Sequence, residues 1–148
     1  MTTSSVWPDL GTLATVASVI AAFAITMIFF RVQRELQMHE QLEINWIPWA
    51  DLMLLLAAVV ALLLVLLPLV AAHPSSWLHQ RLPGPACAAA ILLVAGYPFA
   101  LFAHYRLILG RGRRGPRVNP EPGERFVVLA SLAAAGATAL WAFHVHGP

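Results

Sequence analysis

Ionisable side chains are sparse in this chain, so those beside or inside its long apolar stretches are the candidates for chemistry. Asp51 opens the second stretch, Tyr97 and His104 lie in the third, and Arg106 follows directly after it. Ionisable groups at membrane depth are functional candidates by default. Tyr97 and His104 are seven residues apart, which puts both on one helix face with Leu101 between them. Asp51, His104 and Arg106 are the candidates for an enzyme site. With Arg31 and Glu35 they would form a site for a lipid-soluble substrate at the cytoplasmic interface. Against that reading, no paired nucleophile and base, no cofactor motif and no set of buried charge pairs for ion-coupled transport stands in the sequence. Asp51 also has a simpler use, favouring the positive dipole end of the helix it begins.

A second set is imidazole. His73, His79, His144 and His146 fall on one expected side of the membrane and could bind zinc or copper, or titrate near neutral pH. Their spacing is a weak pattern, because His144 and His146 point to different sides of a continuing helix and the other two sit in a loop. No cofactor is expected. The run Gly110, Arg111, Gly112, Arg113, Arg114, Gly115 lacks the Lys-Ser/Thr ending of a phosphate-binding loop, and so few arginines make a poor nucleic-acid surface. Arg106, Arg111, Arg113, Arg114 and Arg117 are read instead as contacts to anionic lipid headgroups.

The elements that must position these groups are four uncharged apolar runs, 10–30, 52–72, 82–105 and 126–145. At about 1.5 Å of rise per residue each reaches across a hydrocarbon layer of roughly 30 Å. Of the 148 residues, 59% are hydrophobic and only 11% charged, and the mean hydropathy is +0.74. Soluble domains carry about 25% charged residues, so a soluble four-helix bundle is a poor alternative. The expected fold is all-α, a single polytopic domain of four transmembrane helices in an up-down antiparallel bundle. One cysteine, Cys87, lies inside the third run and excludes a disulfide framework. The residues before Leu10 carry Asp9 and no basic leader, so the first span is expected to remain in the mature protein.

Orientation comes from arginine, since there is no lysine. Arg31 and Arg34 follow the first span, Arg81 the second, and six arginines lie from Arg106 to Arg125. Short basic loops stay cytoplasmic. Loops one and three therefore face in, both termini face out, and a bacterial inner membrane is the expected location. From Arg31 to Leu42 there is no Gly or Pro, which predicts that the first helix runs on past the bilayer. Asn45 to Trp49 marks re-entry, with indoles at headgroup depth. Loop two reads as a turn, and Pro68 and Pro98 predict local kinks. In the first loop two arginines face four carboxylates (Glu35, Glu40, Glu43 and Asp51). Six arginines face Glu121 and Glu124 in the third, so docking of the helical extension on the basic loop is a further expectation.

The fourth run carries Ala130, Ala134, Thr138 and Ala142 at spacing four, a small-residue stripe that lets helices meet closely in lipid. It serves either packing within the chain or a subunit interface. In overall shape, four spans in about 150 residues with outward termini, the chain is similar to the membrane-associated eicosanoid and glutathione metabolism proteins, trimers that act on lipophilic electrophiles. The order Arg31, Arg34, Glu43, Pro48 resembles their polar approach to the second span. The resemblance covers topology, and because the Asn and Glu placement does not align, glutathione chemistry is not carried over. The sequence thus reads as a small integral membrane protein that associates with itself or with a partner membrane protein, as scaffold or accessory subunit. The alternatives are a membrane enzyme on a lipophilic substrate and a small oligomeric pore.

Overall fold

The computed structural model of the chain describes residues 9–42, 49–105 and 122–145. Every element among them is helical: α1 (Leu10–Leu42), α2 (Trp49–Val59), a π-helical stretch (Val60–Leu66), α3 (Leu67–Ala71), α4 (Trp77–Arg81), α5 (Pro83–His104) and α6 (Pro122–Val145). Four spans are long and apolar enough to cross a membrane, Leu10–Arg34, Trp49–Ala71, Pro83–His104 and Pro122–Val145. Arg106, Arg111, Arg113, Arg114, Arg117, His146 and the side chains of Glu35, Glu40 and Glu43 lie outside the described residues, and with them the expected docking of the first loop on the third.

The surface is apolar and bulky while the interior is apolar and small. Val19, Ile25, Phe29, Phe30, Leu52, Leu63, Phe99 and Phe102 are exposed, whereas Ala17, Ala24, Ala50, Ala57, Ala61, Ala90 and Ala100 are fully buried. Water would penalise that surface by about 25 cal/mol for each Å² of it. Lipid does not, and small interior residues let backbones approach. The chain is therefore a membrane protein by its surface as well as by its helix lengths.

Local chemistry fixes the ends. The Asp9 carboxylate accepts the Thr12 backbone N–H at 2.9 Å, capping the first turn of α1. Hydrogen bonds from the Thr12 side chain and backbone hold that carboxyl below its ordinary range. α1 runs on to Leu42, as its lack of helix breakers predicts. Loop two is more ordered than a turn: Ser76 Oγ accepts the His79 N–H at 3.3 Å and starts the short helix α4.

Of the two expected kinks, neither takes the form of a break. α5 continues through Pro98. Ahead of Pro68 the backbone changes register instead, and the Leu67 N–H bonds to the Leu62 carbonyl five residues back. In a regular α-helix the Pro68 ring would strike the carbonyl four residues earlier, and a widened turn moves that carbonyl aside.

The seam that α6 presents to the bundle is Glu124, Val128, Ser131, Ala135, Thr138 and Ala142, buried or half-buried. Its steps alternate four and three, the rhythm that keeps residues on one face. The stripe Ala130, Ala134, Thr138, Ala142 advances by four each time and so drifts about 40° per step. Accordingly Ala130 and Ala134 are exposed, Thr138 is half-buried and Ala142 is buried.

α5 and α6 pack tightly at Gly96. A Cβ built there would collide with Ser131 Oγ and stand 2.8 Å from the Ser131 Cβ, while one at Gly136 would meet nothing. Gly96→Ala is expected to lower stability by about 1–3 kcal/mol through overpacking, and Gly136→Ala to stay within about 0.5 kcal/mol of the parent. Equilibrium unfolding in mixed micelles would show the difference.

Candidate functional site

The polar side chains gather where the later part of α1, the starts of α2 and α6 and the end of α5 meet. Arg31 lies seven residues beyond Ala24, on the same buried face of α1, and is itself buried. Its Nε donates to both Asp51 oxygens at 3.2 and 3.1 Å. Its Nη1 donates to the Tyr105 hydroxyl oxygen at 2.9 Å. Arg34, one turn on, donates to the same oxygen at 2.9 Å, with its guanidinium 5.6 Å from the centre of the Tyr105 ring. These contacts join α1, α2 and the end of α5.

Glu124 extends the cluster to α6. It is fully buried; Oε1 accepts the Ala50 backbone N–H at 3.1 Å and Oε2 accepts from His104 Nδ1 at 2.6 Å. A helix leaves its first N–H groups without intrahelical partners, and here one helix supplies the missing acceptor for another. The carboxylate sits in the first turns of both α2 and α6, at their positive ends, and the imidazole at the negative end of α5. The His104 and Tyr105 rings meet edge to face at 5.1 Å. The two sets of contacts are therefore one cluster across four helices. Beside it, Arg125 stands 5.7 Å from the centre of the Trp49 ring.

Asp51 and His104, chosen from the sequence, both fall in this cluster, though they bond to different partners. Tyr97 does not join them. It is buried, and its hydroxyl has no hydrogen-bond partner among the described residues. Removing a buried, unpartnered hydroxyl relieves a desolvation cost. Tyr97→Phe is thus expected to leave the thermal midpoint unchanged or raised, as a melting curve would record.

The histidines serve the far turn. His73 Nδ1 accepts the Ser75 N–H at 3.3 Å, and His79 Nδ1 donates to the Pro68 carbonyl at 3.2 Å. His144 is exposed. Among the described residues no three potential ligands converge on a metal position.

Three members of the cluster, Arg34, Glu124 and Tyr105, are not among the sequence candidates for chemistry. A glutamate in the first turn of a helix reads as a dipole partner whether or not it is buried. For Tyr105 the available signal is its place beside His104 at the end of an apolar run.

Away from the cluster, an open apolar groove of about 440 Å³ runs between α5 and α6, lined by Leu92, Gly96, Phe99, Phe126, Ala130 and Ala134 among others. Among the described residues no titratable side chain lines it. The arrangement can hold helices together through charge-assisted bonds; among the described residues it brings no nucleophile to a base. No protein family, curated protein or solved structure matches the chain.

Proposed function

We propose that this protein is a small integral membrane scaffold or accessory subunit, an up-down bundle that associates with itself or with a partner membrane protein. The observation that carries the reading is where its charged groups go. Arg31, Asp51, His104 and Glu124 bond from helix to helix, while the exposed side of α6 carries small residues, Ala130, Ala133, Ala134, Gly136 and Ala137. Small faces favour helix contact in lipid. The arginine content of loops one and three supports a cytoplasmic position for them, with both termini outside and a bacterial inner membrane as the setting. Anionic lipids are the expected partners of the third loop.

Cysteine cross-linking tests the assembly. In a Cys87→Ala background, Ala134→Cys is expected to form a disulfide-linked dimer in membranes, and Val70→Cys, at an exposed position elsewhere, is not. Native mass measurement of the detergent-solubilised chain should give one defined multiple of the 16.1 kDa protomer. A monomer in lipid nanodiscs without cross-linking at Ala134 would overturn the proposal.

One observation favours a second reading, a membrane enzyme on a lipophilic substrate. A carboxylate bonded to Nδ1 of an imidazole, as Glu124 is to His104, is the arrangement that orients a general base. That version requires His104→Gln to abolish turnover of a lipid-soluble substrate while the assembly stays intact.

A further inference from the structure

Tyr105 and Arg34 hold donors that find no acceptor among the described residues. The Tyr105 oxygen already receives two N–H bonds, from Arg31 and Arg34, so its remaining role is to donate its own proton. Nothing among the described residues receives that proton. Among the described residues Arg34 makes its polar contacts to Tyr105, through the hydroxyl and the ring, and it is exposed. Its other N–H groups are therefore presented outward next to the phenol. A guanidinium fork beside an O–H donor matches an oxyanion with several acceptor oxygens, and phosphate is the commonest such group at a membrane.

The same helix face says which phosphate. One turn below Arg34 is Phe30, exposed by 61%, and two turns further is Phe23, exposed by 43%, with half-buried Met27 between them. These positions, 23, 27, 30 and 34, share one face. Arg34 closes the membrane-compatible stretch Leu10–Arg34. A cation at the rim with an apolar track beneath it fits a headgroup above and an acyl chain below.

We propose that Arg34 and Tyr105 bind the phosphate of an anionic phospholipid whose acyl chain lies along Phe30 and Phe23. The site does not depend on the protein's assembly.

The test is thermal unfolding of the purified full-length chain in neutral detergent, titrated with phosphatidylglycerol, phosphatidylcholine or inorganic phosphate. Phosphatidylglycerol is expected to raise the midpoint, and the other two are not. Each measured against its own lipid-free midpoint, Arg34→Gln should bind phosphatidylglycerol about fivefold more weakly, the effect of losing one basic contact near a membrane surface, and Tyr105→Phe should bind it more weakly through loss of the donated hydrogen bond. Native mass spectrometry on the same proteins, which needs no melting transition, should show one fewer retained phosphatidylglycerol per chain. An undiminished midpoint shift or an undiminished lipid count in both variants would overturn the site. An equal shift with phosphatidylcholine would overturn the requirement for an anion. An equal shift with inorganic phosphate would overturn the lipid as its source.

Discussion

Replacing Asp51 with alanine is expected to lower stability by about 3–5 kcal/mol, the cost of stranding one member of a buried ion pair. The side chain of Arg31 is only 8% exposed and that of Asp51 19%, so water reaches neither freely. Once the carboxylate is gone, the guanidinium keeps its bond to Tyr105 and loses both oxygens that neutralise it. Asp51→Asn should fall between alanine and the parent, because a carboxamide still accepts one bond. Removing both charges together, as Arg31→Met with Asp51→Leu, should recover much of the loss, since apolar pairs of similar volume often match buried ion pairs. Chemical unfolding in mixed micelles would measure all four proteins. A loss below about 1 kcal/mol for Asp51→Ala would mean that the pair behaves as a solvated surface contact.

The second large effect belongs to Glu124. Glu124→Ala removes the acceptor of the Ala50 N–H and of His104 Nδ1 at once. Bonds to a charged group contribute about 1.5–3 kcal/mol each, so a loss of about 3 kcal/mol or more is expected. Glu124→Gln keeps an acceptor for Ala50 and should cost about half as much. Hydrogen exchange would locate the change as well as size it. In Glu124→Ala the amides at the start of α2 should exchange faster, whereas those near Gly96, in the middle of the α5 and α6 contact, should stay protected. Uniform loss of protection along α5 would show that the cluster carries the whole bundle.

The spans were legible because membrane insertion depends on uninterrupted apolar length, a property of consecutive residues. Arg31, Asp51 and His104 were legible as candidates for a related reason: a charge next to an apolar run stands out in any reading. Their pairing was not legible. Arg31 meets Asp51 across 20 positions and Tyr105 across 74, and such contacts depend on which helices pack side by side. Composition suggested that the acidic first loop would attract the basic third. That docking lies outside the described residues; among those described, the strong pairs lie at the helix ends, and the acid at the start of α6 turns inward to an amide of α2.

The stripe on α6 shows the same limit from another side. Spacing of four marked Ala130, Ala134, Thr138 and Ala142 as one set, but the seam that packs alternates four and three, starting from Glu124. Sequence alone reveals that α6 is small on several sides. Which side meets α5 is decided at Gly96 and Ser131, where the absence of one Cβ lets the backbones close.

Ribosomes deliver a chain from its beginning, and the carboxylate of Glu124 emerges 74 residues after the Ala50 amide that it receives. Until α6 is threaded, that amide lacks the acceptor it has in the finished protein. The cluster across four helices therefore closes only once α6 has followed the other three. A product cut short before residue 122 would carry three spans and an open end.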